Sequence, residues 1–168
     1  DAATGGTLLV SGVNTFTTPI IATTTTYYAQ SRNLTTGCIS STRRAVIATV
    51  NSLPAEPRAV NVERCGPGSV TLTATASAGQ TVAWYADSSG GTALATTFSY
   101  TTPVINVTTA YYVEARITGT GCISSTRYVV SAIVNTPPNA PLGTGAERCG
   151  TGSVTLSALP EAGSTVDW

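Results

Sequence analysis

The sequence predicts an all-β protein built from tandem antiparallel β-sandwich repeats with a period of 84 residues. Three observations support this. Threonine accounts for 32 of the 168 residues while charged residues are only 10%, a composition that suits pleated, half-buried surfaces. Short segments alternate apolar and polar residues, as in SVTLTATA at 69–76, and no ten-residue stretch keeps a helical period. Finally, the heptapeptide GCISSTR occurs at both 37–43 and 121–127.

The heptapeptide belongs to a longer internal repeat. Four other motifs recur with the same offset of 84 positions, which is the signature of a repeat architecture. They are ERCG at 63–66 and 147–150, GSVTL at 68–72 and 152–156, TTP at 17–19 and 101–103, and the pair YY at 27–28 and 111–112.

This period divides the chain into three parts. Residues 1–53 are the C-terminal part of one repeat, residues 54–137 are a complete repeat, and residues 138–168 are the N-terminal part of the next. The related segments NSLPAEP at 51–57 and NTPPNAP at 135–141 join them. Proline-rich joints of this kind act as semi-rigid spacers.

The two incomplete parts together have the length of one repeat. Two interpretations follow. The chain is either a two-period window of a longer array, or a subunit whose last part completes the first part of the next subunit by strand complementation. The first interpretation is favoured, and both stay open at this point.

Within the complete repeat, the first strands are read from their alternation. The segment 69–76 predicts a strand that buries one face, and the segment TVAWYA at 81–86 predicts a second strand. The turn DSSGG follows at 87–91, and a third strand is expected over about 95–102, ended by Pro103. The predicted inward residues are Val70, Leu72, Ala74, Val82 and Trp84.

Two longer strands complete the repeat. The segment AYYVEARI at 110–117 alternates, so Tyr112, Glu114 and Arg116 are predicted to face outward. The segment CISSTRYVVSAIV at 122–134 is predicted as the last strand, because its apolar positions recur in the earlier copy. The predicted inward residues of the two strands are Tyr111, Val113, Ala115, Ile117, Val130, Ala132 and Val134.

About seven short strands per 84 residues, with turns between them, describe an antiparallel sandwich of immunoglobulin type. Trp84 lies on the third main strand, where such sandwiches bury a tryptophan.

The order of these motifs resembles a known family. The segments CGPGSVTLTA at 65–74, WYADSSGGT at 84–92, TTP at 101–103, TTAYYVEA at 108–115 and GCISS at 121–125 are similar to the Ig-like repeats of very large surface and secreted Bacteroidetes proteins, of the type associated with Cytophaga. The resemblance covers essentially the whole chain. It implies stalk or spacer modules, found in gliding-motility adhesins and in polysaccharide-degrading proteins exported by the type IX system, and it implies no catalytic residues.

Charge and composition disfavour several other functions. The eight basic residues are all arginine and are balanced by eight acids, so no basic footprint for nucleic acid is present. No apolar stretch is long enough to span a membrane. The chain contains no histidine, and its eight acids are scattered, so neither a metal centre nor a paired-carboxylate hydrolase is expected. No cofactor is expected.

The four cysteines favour an oxidising compartment and a structural disulfide. The simplest pairing is Cys65 with Cys122 inside the complete repeat, with Cys38 and Cys149 paired to neighbouring repeats. In a plain immunoglobulin topology, however, the turns that carry Cys65 and Cys122 lie at opposite ends of the sandwich. A bridge between neighbouring repeats therefore remains an alternative.

Exposed aromatic residues are the remaining candidates for a binding surface. Tyr85 and Tyr112 are predicted to face outward and are possible contacts for a surface ligand or a polysaccharide. A partly covered strand surface or an inter-domain contact is the favoured explanation of both residues.

The expected function is therefore a non-catalytic structural repeat of a long extracellular stalk, filament or adhesin at the cell surface, in gliding motility or attachment. Its partners would be the neighbouring repeats of the same protein, end to end. The alternative is a spacer or carbohydrate-binding module of a secreted polysaccharide-degrading protein. The N-terminal segment DAATGGTLLV does not have the pattern of a signal peptide, so an export signal would lie outside this stretch.

Overall fold

A computed structural model describes residues 2–168, so Asp1 of the predicted first part lies outside the described residues. Those residues form strands, turns and loops with no helix. The strands in chain order are β1 (Thr25–Ala29), β2 (Arg44–Ala48), β3 (Arg58–Ala59), β4 (Val62–Cys65), β5 (Thr71–Thr75), β6 (Gln80–Tyr85), β7 (Ser99–Thr101), β8 (Thr109–Ile117), β9 (Tyr128–Asn135), β10 (Leu142–Thr144) and β11 (Ser157–Leu159).

The complete repeat folds into two sheets. A three-stranded sheet has the order β3-β5-β7, and a four-stranded sheet has the order β4-β9-β8-β6. The seven strands and the two-sheet arrangement confirm the predicted immunoglobulin-like sandwich.

The core lies between these sheets and consists of alternate residues predicted to face inward, together with Ile105, which the alternation did not predict. Trp84, Leu72 and Val113 are fully buried. The indole of Trp84 stacks on Tyr100 with 6.0 Å between ring centroids, and its Nε1 donates a hydrogen bond to the Thr97 carbonyl at 2.9 Å. The buried cluster comprises Val70, Leu72, Ala74, Val82, Trp84, Ile105, Tyr111, Val113, Val130 and Ala132.

One strand pair departs from the antiparallel pattern. After β3 pairs with β5, the chain crosses to the other sheet, where β4 runs parallel to β9 and Cys65 lies opposite Asn135. Both strands therefore run in the same direction, from the end of the sandwich at the joint 51–57 towards the end at the joint 135–141.

Two predicted strands are shorter than expected. The strand expected over 95–102 is regular only at β7, because Ala95 makes an isolated bridge to Trp84 across the sheet instead. The strand expected from residue 122 begins at Tyr128. Before it, Ser124 bonds through its amide to the Ala115 carbonyl and through its hydroxyl to the Thr126 carbonyl, which replaces a regular ladder.

The flanking segments keep the local pairing of the complete repeat. Strands β1 and β2 pair Tyr27 with Val46, as β8 and β9 pair the matching Tyr111 with Val130. Strands β10 and β11 likewise use the register of β3 and β5. Each flanking segment therefore contains one ladder of the sandwich, and neither contains the whole.

Candidate functional site

The outer face of the four-stranded sheet carries a buried polar cluster. The phenol of Tyr85 on β6 donates a hydrogen bond to Oε1 of Glu114 on β8 at 2.8 Å. Nε of Arg127 donates to Oε2 of the same carboxylate at 3.1 Å. The side chains of Arg127 and Glu114 are only 11% and 5% exposed, so both carboxylate oxygens are paired inside a shielded site.

Arg127 also holds the turn that follows β6. Its guanidinium carbon lies 3.4 Å from the centroid of the Tyr85 ring, a cation–π contact. Its NH1 group donates to the carbonyl oxygens of Asp87 and Gly90 at 2.7 and 2.8 Å. One arginine thus connects the sheet surface to the turn at 87–91, which a lysine could not do in the same planar geometry.

The environment of Tyr85 shifts its titration. Burial raises the pKa of the Tyr85 phenol above its ordinary value, and the hydrogen bond to Glu114 and the charge of that carboxylate raise it further. The nearby charges of Arg127 and Arg116 lower it. The net shift of the pKa is upward, which favours the protonated phenol that donates to Glu114.

These contacts correct the prediction of a ligand contact at Tyr85. The residue lies on the outer face of the sheet, but it is only 8% exposed because Arg127 covers its ring. Glu114 also lies on that face and is 4% exposed, because Arg127 covers it as well. Tyr112 is half-buried, and its role as a surface contact stays a prediction.

The sequence reasoning did not identify Arg127 as the organising residue. A signal was available, because Arg127 is the last residue of the second GCISSTR motif and Arg43 is the last residue of the first. In the first copy, Nε of Arg43 donates to Oε1 of Gln30 at 2.8 Å, and its NH1 group reaches the carbonyl oxygens of Ala2 and Gly5. The same clamp is therefore built twice, with an amide in place of the carboxylate.

The upstream end of the complete sandwich, where the joint 51–57 meets it, is closely packed. Pro54 and Pro57 of this joint are buried. Between them, a carboxylate oxygen of Glu56 accepts a hydrogen bond from the Thr126 hydroxyl in the turn before β9. The incoming joint is therefore part of the folded domain.

The downstream end, where β9 leads into the joint 135–141, is fixed in a similar way. The Gly66 amide donates to the Asn135 carbonyl at 2.8 Å, and the Asn135 side chain donates to Glu63 at 3.2 Å. A side chain at Gly66 would lie 3.4 Å from Cγ of Pro137. The outgoing chain is thus attached to the turn after β4.

The arginine of the recurring ERCG motif has a structural role at the downstream end. Arg64 donates from Nε to the Gly66 carbonyl and from NH1 to the Ser69 carbonyl. Its guanidinium lies over Gly68, where a Cβ atom would come within 1.9 Å of it. Arg148 covers Gly152 in the same way in the last segment, so both copies need a glycine at this position.

The four cysteines lie at the ends of the repeats, and all four are free thiols in the structure. Cys65 lies opposite Asn135 at the downstream end. The carbonyl of Cys122 accepts from the Ile117 amide at the upstream end. The nine residues of β8 that separate these levels correspond to about 30 Å.

A disulfide requires Cα atoms within about 7 Å. The described geometry therefore does not accommodate the bridge predicted between Cys65 and Cys122 inside one repeat. The alternative, a bridge between neighbouring repeats, stays a prediction.

Other kinds of site are not found in the part of the chain that the structure describes. Residues 2–168 contain no group of three or more His, Cys, Asp or Glu side chains arranged to hold a metal ion. No helix among them could cross a lipid bilayer.

Two packed sheets with a buried tryptophan, together with joints attached at both ends, define an immunoglobulin-like module of a tandem array. The family described as "Ig-like domain CHU_C associated" matches residues 1–51 and 54–136. Since this match covers most of the chain, the protein belongs to that family of Ig-like domains. No curated protein shows significant similarity to it.

Proposed function

We propose that this chain is a non-catalytic structural part of a long extracellular stalk or filament at the cell surface, in gliding motility or attachment. Each sandwich buries its own core, and each joint passes the chain to the next sandwich in a fixed direction. Repetition then converts the length of one domain into reach, so that an adhesive or catalytic end is held away from the cell. The family match supports the repeat architecture on which this proposal rests.

The observation that carries the proposal is the attachment of both joints to opposite ends of the complete sandwich. Glu56 bonds to Thr126 at the upstream end, and the Gly66 amide bonds to Asn135 at the downstream end. The eight residues of β9 between them span about 26 Å. Joints that are proline-rich and packed on the domain resist bending, as a spacer requires.

The positions of the cysteines support an extracellular setting for this spacer. Cys65 at the downstream end of one repeat would face the counterpart of Cys122 at the upstream end of the next. A disulfide donor, such as an oxidised thiol oxidoreductase, would take two electrons from the two thiols, which lose their protons as the S–S bond forms. Such a bridge would connect successive domains covalently in an oxidising compartment.

The alternative, a polysaccharide-binding module, has less support. An exposed aromatic platform is the usual way in which such a module holds a sugar ring, and here Arg127 covers the ring of Tyr85.

Electron microscopy of the native assembly tests the proposal. A beaded fibre with a regular spacing of at least about 30 Å per bead, the length of a nine-residue strand, is expected. A compact particle with no repeating unit would contradict a stalk. Peptide mapping without reductant adds a second measurement, because linkage of Cys65 to the next repeat's counterpart of Cys122 is expected.

A further inference from the structure

We propose that disulfides between neighbouring repeats create two covalent paths, which follow β4 and β9 through every sandwich and limit the length that unfolding can release. The proposal rests on the bridge between Cys65 and the next repeat's counterpart of Cys122 that belongs to the proposed function above. It adds to that function a specific way in which the array carries tension.

Each cysteine of the complete repeat lies beside one of its two joints. Cys65 is the last residue of β4, at the end where the chain leaves the sandwich, and its side chain is exposed. Cys122 lies at the opposite end and is half-buried. Close to it in the chain, the Thr126 hydroxyl donates to Glu56 of the incoming joint. One thiol is therefore available at each end of the sandwich.

The positions of both thiols recur with the period of the chain. Cys38 corresponds to Cys122 and Cys149 corresponds to Cys65, each at an offset of 84 residues. In a row of such repeats, a downstream thiol faces an upstream thiol at every joint. A disulfide donor, such as an oxidised thiol oxidoreductase, takes two electrons and two protons from each pair and becomes a dithiol as the S–S bond forms.

Two short segments of the chain cross the sandwich from one end to the other. The first runs from Pro54 to Cys65 and contains 12 residues, including β3 and β4. The second runs from Cys122 to Pro137 and contains 16 residues, including β9. Both segments run from the upstream end to the downstream end, since β4 and β9 pair in parallel.

The shared direction of these segments lets them alternate along a bridged array. The first segment leaves its repeat through the bridge at Cys65 and continues as the second segment of the next repeat. That segment leaves through the peptide joint and continues as the first segment of the following repeat. Two interleaved covalent paths therefore cross every sandwich, and neither includes the long stretch 66–121. With β4 and β9 antiparallel, the path would return to the end at which it entered.

These paths determine how far a repeat can extend when it unfolds. An extended chain spans at most about 3.3–3.6 Å per residue. The segments of 12 and 16 residues therefore reach about 40 and 55 Å, and the whole period of 84 residues reaches about 290 Å. The folded sandwich is about 30 Å long. A repeat with both bridges thus gains about 10 Å on unfolding, whereas a repeat with neither gains about 260 Å.

One bridge per repeat is sufficient to keep this extension short. If the bridge at Cys65 is absent, the segment from Cys122 to Pro137 still joins the two ends of the repeat. If the bridge at Cys122 is absent, the segment from Pro54 to Cys65 does so. The full length is released only when both bridges of the same repeat are missing.

Single-molecule force spectroscopy of the native full-length protein tests the proposal. The oxidised wild type is expected to unfold without steps near about 260 Å. A reductant should produce one such step per repeat, because tension then enters and leaves through the peptide joints alone. The reduced wild type also shows whether each sandwich folds without its bridges.

Substitutions in the complete repeat sharpen the test. Cys65→Ser and Cys122→Ser, each made alone, should lengthen the extension of one repeat to no more than about 55 Å. The double variant Cys65→Ser/Cys122→Ser should show a single step of about 260 Å under oxidising conditions. The single variants are the matched controls, since each removes one of the same two thiols.

Peptide mapping without reductant separates this proposal from the proposed function. Oxidised protein that contains the linked peptides but still shows steps of about 260 Å would overturn the two paths and leave the bridge in place. A step of that size in either single variant, or none in the double variant, would overturn them as well. A beaded fibre without linked peptides would overturn the paths while the stalk remains.

Discussion

The same residues are buried in the complete repeat and exposed in the flanking segments. Trp84 is 0% exposed and its counterpart Trp168 is 81% exposed, while Val130 is 1% exposed and its counterpart Val46 is 54% exposed. Their side chains are identical, so burial here depends on the presence of both halves of a sandwich. The hairpin register, by contrast, is the same in both places, and is therefore specified locally.

The largest difference between the two regions is expected for the tryptophans. Trp84→Ala removes the central side chain of a packed core and should lower the free energy of unfolding by about 3–5 kcal/mol. Trp168→Ala should change the free energy of unfolding of the complete repeat by less than about 0.5 kcal/mol. Chemical denaturation of dilute protein, followed by circular dichroism, measures both values.

Dilution matters in that experiment because any self-association would add stability to the folded state. Equal effects of the two substitutions at low concentration would mean that the last segment has a packed core of its own, contrary to its exposure.

The next largest difference is expected for the two arginine clamps. Arg127→Ala leaves the buried Glu114 carboxylate without its cation and should cost about 3 kcal/mol. Arg43 bonds to the neutral Gln30 amide in an exposed segment. Arg43→Ala should therefore leave the unfolding of the complete repeat unchanged. Thermal unfolding of the two single variants measures the contrast.

Glu114→Gln sharpens this comparison, because it gives the complete repeat the Arg–Gln pair of the first segment. With an amide in place of the carboxylate, a subsequent Arg127→Ala should cost at least 1 kcal/mol less than in the wild type, since no buried charge is left unpaired. Equal costs in both backgrounds would show that Arg127 acts through the turn at 87–91 rather than through Glu114.

A smaller effect is expected at the glycine of the ERCG motif. Gly66 has φ of 69° and Gly150 has φ of 76°, a conformation that costs a residue with a side chain about 1 kcal/mol. Gly66→Ala should lower the melting temperature by about 4–8 °C, while Gly150→Ala should leave it unchanged because its turn lies outside the complete sandwich. Differential scanning calorimetry separates the two outcomes.

The smallest effect is expected from pH. Burial raises the pKa of Tyr85, Tyr100 and Tyr111 above the ordinary tyrosine value. Their contribution to stability is therefore complete below about pH 10, where unfolded tyrosine begins to ionise, and is lost as the pH rises through the raised values. Denaturant titrations between about pH 8 and 11 should show this decline, and Tyr85→Phe should make it shallower. An unchanged decline would exclude Tyr85 as a contributor.

Much of the fold could be predicted from the sequence because the signals are local. Alternation identified the inward residues of β5, β6, β8 and β9, and Trp84 lies in the core as expected. The parallel pairing of β4 with β9 was not predicted, since it depends on which sheet the first strand joins after Ala59. The late start of β9 was also not predicted. Before β9, bonds through the Ser124 side chain to Ala115 and Thr126 replace the regular ladder.

The polar cluster was less accessible to sequence reasoning. Alternation correctly placed Tyr85 and Glu114 on the outer face, but it could not show that Arg127, from a different segment, covers them. The distance between Cys65 and Cys122 depends on the register across β8 and β9, which the sequence alone does not give. The sequence therefore left open both the bridge within one repeat and the bridge between neighbouring repeats.

The parallel pairing of β4 and β9 has a mechanical consequence. A tension applied through the two joints pulls β4 and β9 in opposite directions along their length. The four register pairs from Val62–Ala132 to Cys65–Asn135 are then loaded in shear and must break together, whereas strands pulled apart from one end would open pair by pair. Resistance to such a load is set by the rate of unfolding, so this short ladder would determine how much force one bead of the chain withstands before it extends.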